Sequence, residues 1–141
     1  MFYTTKGLIL RETQYKDNDK LLDVLTGDMG RITVKARGVR RKNSRLRSGC
    51  QLLCYSELTL FEKNGFYTVN EAEPLEMFMG LRTDIELLSL GSYFAQLLSC
   101  ISDQDQASPE LLSLGLNSLY ALDKLKKPQA LVKAAFELRL M

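Results

Sequence analysis

"YSELTLFEKNGFYTVNEAE", residues 55 to 73, decides how the first half of this chain is read. Two stretches rich in β-formers, 55–63 and 66–73, flank Asn64-Gly65. Asn-Gly tolerates the positive φ values that a tight type I′ turn demands, so the segment predicts a β-hairpin. Upstream, "RITVKAR" (31–37) sets Ile32, Val34 and Ala36 against Arg31, Thr33, Lys35 and Arg37. A period of two sends the first set to a core and leaves the second, largely basic set outside. "KLLDVLT" (20–26) comes before it across the turn residues "GDMG" (27–30). "TTKGLILRET" (4–13) opens the series, with Gly7 marking a bulge or sharp bend. Five short strands at this spacing fit a small barrel or a compact meander.

The composition changes near Pro74–Gly80, and the rest reads as helix. Thr83 with Glu86 forms a capping box, behind which Ile85, Leu88, Tyr93, Phe94, Leu97, Leu98 and Ile101 recur at helical spacing. "SDQDQAS" (102–108) is a polar linker, and Ser108-Pro109 supplies an N-cap and a proline at the first helical position. Leu111, Leu112, Leu119, Leu122 and Leu125 carry a second helix to Lys126, Lys127 and Pro128. Leu131, Val132, Ala135, Phe136 and Leu140 mark a third over 128–141. These stripes read as bundle core. The closing "AAFELRLM" has no C-cap glycine and no polar tail, which reads as a fragment of a longer protein.

Composition excludes several function classes. The 141 residues contain no histidine, which removes histidine metal sites and histidine-based acid–base or triad chemistry. No nucleophile elbow, dinucleotide fingerprint or phosphate loop is present, so neither a catalytic site nor a cofactor is expected. Cys50, Cys54 and Cys100 are an odd count without a zinc-like spacing, and are expected as buried or half-buried thiols. The start lacks a signal-peptide pattern and no apolar run is long enough to span a bilayer, so a soluble cytoplasmic protein is expected.

Charge is where the sequence speaks most about function. Residues 1–80 carry a net +3 and residues 81–141 a net −1. The excess gathers in Arg31, Lys35, Arg37, Arg40, Arg41, Lys42, Arg45 and Arg47, with no carboxylate anywhere between the first and the last. Such a run repels itself, so an external polyanion explains it better than folding does. Arginine predominates, and its planar fork suits phosphate contact and stacking on bases. Gly38, Asn43, Ser44 and Ser48 leave the second part of the run flexible and add hydrogen-bond donors. Tyr55, Phe61, Phe66 and Tyr67 lie on neighbouring strands. A basic groove beside an aromatic platform is what a single-strand binder needs. No recognition helix or zinc finger is present for base-specific reading of a duplex.

"TTKGLILRETQYKDNDKLLDVLTGDMGRITVKARGVRRKNSRLRSGCQL" (4–52) closely resembles the N-terminal region of the RecO family of bacterial recombination mediators. Its most specific parts are Gly30-Arg31 and "KARGVRRKNSRLRSG" (35–49), and "FELRLM" (136–141) resembles the family's helical domain. The likeness runs over essentially the whole chain. It implies an α+β protein, with a five-stranded OB-fold barrel over 1–80 followed by an incomplete α-helical domain over 81–141. The implied role is a non-catalytic mediator of DNA repair and homologous recombination in the bacterial cytoplasm, associated with the nucleoid. Such a protein binds single- and double-stranded DNA without base specificity and anneals complementary strands. With RecR it helps RecA load onto DNA coated by single-strand-binding protein.

The implied DNA surface maps first onto Arg37, Arg40, Arg41, Arg45 and Arg47, with Arg31, Lys35 and Lys42 in support and Lys16 and Lys20 as weaker additions. Two departures stand out. Gln51-Leu52-Leu53-Cys54 replaces the common Leu-Gln-Pro-Phe, which leaves no aromatic there. The cysteine pairs that bind zinc in many relatives are absent, so no metal is expected. A docking site for the acidic tail of single-strand-binding protein would use lysines such as Lys126, Lys127 and Lys133. The alternative is a protein-interaction adaptor whose helical half is the active surface and whose basic run meets an acidic protein tail.

Overall fold

Alternating strands in the first half close on themselves. In a computed structural model, which describes residues 2–102, 107–124 and 128–140, the strands are β1 (Phe2–Tyr15), β2 (Asp19–Thr26), β3 (Arg31–Ala36), β4 (Tyr55–Lys63) and β5 (Phe66–Glu76). They form a closed barrel in the order β1-β2-β3-β5-β4. Neighbours are antiparallel except β3 and β5, which pair in parallel at Val34–Tyr67 and Lys35–Thr68. A closed five-stranded barrel with this crossover fits the OB fold.

β1 makes closure possible because it is longer than the alternation predicts. Its first half pairs with β4, from Phe2–Phe61 to Leu8–Tyr55, and its second half with β2, from Gly7–Thr26 to Tyr15–Asp19. Gly7, expected at a bulge or sharp bend, is a point of close approach where a Cβ would collide with Val24, and it keeps regular register with both neighbouring strands. The register slips instead between Ile9 and Arg11. There the Ile9 N–H donates to the Cys54 carbonyl (3.1 Å) and the Leu53 N–H to the Ile9 carbonyl (2.9 Å). The β4–β5 turn follows expectation, with Asn64 at φ 55° and Gly65 at φ 82°.

Two cores result. Ile9, Leu22, Val24, Ile32, Val34, Leu58, Leu60 and Val69 fill the barrel, with Val39 and Cys50 of the basic loop packed among them. Leu8, Leu10, Leu25 and Leu53 point the other way and meet Phe78, Leu81 and the helices.

Helices α1 (Met79–Arg82), α2 (Ile85–Ile101), α3 (Pro109–Asp123) and α4 (Gln129–Leu140) follow. α1 is a single turn, too short to leave a periodic signal. It also moves the predicted cap. The Thr83 hydroxyl closes α1 by donating to the Gly80 carbonyl (3.2 Å), and Asp84 caps α2, accepting from the Glu86 and Leu87 N–H groups at 3.0 and 3.3 Å. A carboxylate there also meets the positive end of the helix dipole. Ser108 stands at the N-cap of α3 before Pro109, although its hydroxyl makes no capping bond.

Phe94 and Leu98 of α2, Leu112, Leu119 and Leu122 of α3, and Val132 and Phe136 of α4 form the helical core, with Phe94 stacked on Phe136 at 4.1 Å. Ile85 (83% exposed) and Ile101, at the two ends of α2, do not join it. Leu125, Lys126, Lys127 and linker residues 103–106 lie outside the described residues. Among the described residues, no helix is long and apolar enough to cross a membrane.

Cys50 and Cys54 are buried as expected, whereas Cys100 is exposed on α2. Burial pushes the Cys50 thiol up to about 12 and the Cys54 thiol upward as well. Both stay protonated at neutral pH, so neither is a ready nucleophile or metal ligand.

Candidate nucleic-acid interface

β3 delivers the basic run to one end of the barrel and buried anchors hold it there. Gly38, at φ 66°, donates its N–H to Asp19 Oδ1 (2.7 Å) and turns the chain toward the β1–β2 hairpin. The Arg40 N–H reaches the Asn18 carbonyl (3.0 Å) and Arg40 Nη1 the Asp17 carbonyl (3.2 Å). Consecutive turns follow, closed by Arg41 N–H to Gly38 O, Ser44 N–H to Arg41 O and Cys50 N–H to Leu46 O, all at 3.0–3.1 Å. Ser44, expected as a flexible position, uses its hydroxyl to accept from the Leu46 N–H (3.2 Å). Val39, Cys50 and Leu53 are buried beneath the run. The loop is a folded, internally hydrogen-bonded platform that carries exposed cations.

Gly49 pins its far end. A Cβ at this position would lie 2.7 Å from Ala72 Cβ and 3.0 Å from the Ala72 carbonyl oxygen on β5. The Gly49 carbonyl also accepts the Ser56 hydroxyl at 2.6 Å. Gly49→Ala must lift the loop off β5 and is expected to cost about 1–3 kcal/mol. A lowered urea midpoint at unchanged slope reports that loss, and an unmoved midpoint would mean the loop is not held against β5.

Arg37, Arg40, Arg41, Lys42, Arg45 and Arg47 are all exposed, and none forms an ion pair among the described residues. They do not all line one depression. Lys35 and Arg37 line a groove of about 480 Å³ with Tyr15, Leu21, Lys63, Asn64, Phe66, Tyr67 and Thr68. This groove lies between the β1–β2 turn, β3 and the β4–β5 turn, where OB folds take oligonucleotides. Lys35 Nζ sits 4.9 Å from the Tyr15 ring centre and Lys16 Nζ 5.3 Å, so two cations bracket an aromatic at its rim. Arg40 and Arg47 line a neighbouring depression of about 760 Å³ with Lys20, Glu12, Gln14, Val39 and Gln51. Lys20 is engaged there by Glu12 at 3.0 Å.

Two predicted cations stand apart. Arg45 lines a separate depression with Glu57, Glu71 and Glu73, whose charge offsets its own. Arg31, at the other end of β3, donates through Nε to the Ser102 carbonyl (3.4 Å) at the end of α2 and faces the helices. The aromatics divide as well. Tyr55 packs against the core shared with the helices, whereas Phe61 and Phe66 are exposed. Tyr15 and Lys63, absent from the sequence reading, belong to the groove. Tyr15 ends a strand at an exposed turn, and the closed barrel brings it into one groove with Phe66. In the helical part, Lys133 is engaged by Glu137 (3.9 Å) and lies 5.5 Å from the Tyr93 ring centre. Lys126 and Lys127 lie outside the described residues.

Comparison with known proteins agrees with this architecture. Residues 1–78 match the family described as Recombination protein O N terminal, and residues 82–141 match Recombination protein O C terminal. The DNA repair protein RecO of Acetivibrio thermocellus is 34% identical over 140 residues, covering 99% of this chain and 56% of that protein. That of Alkaliphilus metalliredigens is 35% identical over 141 residues, covering 100% and 57%. That of Heliobacterium modesticaldum is 37% identical over 139 residues, covering 99% and 50%. The chain thus spans about half the length of the curated relatives it matches. With an OB-type barrel, a helical region and both family matches in sequence order, the chain belongs to the RecO family of DNA repair and recombination proteins.

Proposed function

We propose that the barrel binds DNA without base specificity and that the chain acts as a recombination mediator without catalysing a reaction itself. The observation that carries this reading is the groove in which Tyr15 and Phe66 stand beside Lys35, Arg37 and Lys63. Rings there can stack on bases while the cations meet phosphates, and neither contact reads a sequence. Residues 1–80 serve as the nucleic-acid module and residues 81–141 as the surface for protein partners. The reading extends to binding of both single- and double-stranded DNA, annealing of complementary strands, cooperation with RecR and loading of RecA onto DNA coated by single-strand-binding protein. They are the activities to test.

The first test is fluorescence anisotropy of a labelled single-stranded oligonucleotide at several salt concentrations. Lys35, Arg37, Arg40, Arg41, Lys42 and Arg47 are the six cations of the run that remain once Arg31, bonded to the end of α2, and Arg45, set among three glutamates, are left aside. Their full engagement predicts a log–log slope near −4, at about −0.7 per phosphate on a single strand. Indifference to base sequence is expected alongside it. Absence of binding at low salt would overturn the reading, and capture of an acidic peptide by the same arginines would put a protein tail in place of DNA.

A further inference from the structure

The outer face of the β4–β5 hairpin changes character along its length. Near the turn it presents Phe61 opposite Thr68 and Lys63 opposite Phe66; farther along come Thr59 opposite Glu71 and Glu57 opposite Glu73. Phe2, on β1, pairs with Phe61 from the other side. Their rings meet edge to face at 5.1 Å and 61°, an arrangement in which each ring keeps a face free of the other. Phe66 is 77% exposed, Phe2 62% and Phe61 38%. Phe66 stands one cross-strand diagonal from Phe61, a separation that aromatic side chains bridge.

These three phenylalanines do not serve the barrel interior, which is filled from the opposite face of the same strands. They form a ridge that begins in the groove, because Phe66 lines it, and continues over Phe61 to Phe2. We propose that this ridge is a second stacking platform, taking the nucleotides of a single strand that leaves the groove past Phe66. The proposal rests on the reading of the groove as a DNA site. Phenylalanine offers a π-face without a polar handle, which suits sequence-tolerant stacking. Lys63 supplies a cation where the strand must turn. Glu57, Glu71 and Glu73 repel phosphate and close the other direction, so the strand is confined to the phenylalanine side.

The chain contains no tryptophan, so Phe61→Trp places a single reporter on the ridge. Its emission should be quenched by a saturating thymidylate 12-mer and remain unchanged with a 4-mer that fills only the groove. Phe2→Ala combined with Phe61→Ala should weaken the 12-mer at least about fivefold, the lower end of one stacked base, and leave the 4-mer unaffected. Phe61→Leu, which keeps the apolar bulk and removes the ring, should weaken the 12-mer in the same direction. Both side chains are on the surface, so the fold is retained. Unquenched tryptophan with the 12-mer bound, unchanged affinity in the double variant, or parent-like binding by Phe61→Leu would each overturn the ridge while leaving the groove intact. A parent chain that binds no 12-mer at all would instead remove the groove reading, and the ridge with it.

Discussion

Phe94→Ala is expected to lower the stability of the chain by about 3–5 kcal/mol, a large part of the 5–15 kcal/mol that holds a typical domain. Phe94 is buried at the centre of the helical core, stacked on Phe136 of α4 at 4.1 Å. Its removal leaves a ring-sized cavity that neighbours on three helices cannot fill without moving. The same cluster includes Leu8, Leu10 and Leu25 from the outer side of β1 and β2. The core that holds Phe94 is therefore shared between barrel and helices, although the family matches divide the chain between residues 78 and 82. A urea melt followed by helical circular dichroism and by tyrosine absorbance should show one coincident transition, shifted to lower urea. Two separated transitions, or a loss below about 1 kcal/mol, would show that barrel and helices do not depend on this contact.

What the sequence made legible was what short-range periodicity can encode. Asn64-Gly65 announced its turn because few dipeptides adopt two positive φ values, and Ile32, Val34 and Ala36 announced the inner face of β3 because all three point into the barrel. The length of β1 was less visible. Its two halves serve different partners, so Leu8, Ile9 and Leu10 are buried in succession and break the alternation. The capping residue of α2 was displaced by one because α1 consumed Thr83. For the candidate site, the cations were evident as a run, but their distribution was not. Arg31 and Arg45 carry the same charge as Arg37; they differ in what the fold places opposite them. The ring partners of the groove come from β1 and β5, far apart in the chain, and only the closed barrel joins them.

The combined variant Arg37→Ala, Arg40→Ala and Arg41→Ala should bind single-stranded DNA on the order of 100-fold more weakly than the parent, counting about 1 kcal/mol per lost contact. The salt dependence should flatten by about 2 in log–log slope, since three phosphates no longer release counterions at about 0.7 each. All three side chains are exposed. Arg40 alone makes a described side-chain hydrogen bond, to the Asp17 carbonyl, so the melt should change by less than about 1 kcal/mol. Arg45→Ala is the informative control. It removes the same charge from the same loop, but from a depression shared with Glu57, Glu71 and Glu73, where phosphate is repelled. Its affinity should fall less than about twofold and its slope should stay at the parent value. If Arg45→Ala weakened binding as much as Arg37→Ala, charge count alone would govern the interaction, and the groove between Tyr15 and Phe66 would not be the path of the strand. If the triple variant kept the parent slope, the arginines would contact no phosphate, and the basic loop would belong to a protein partner.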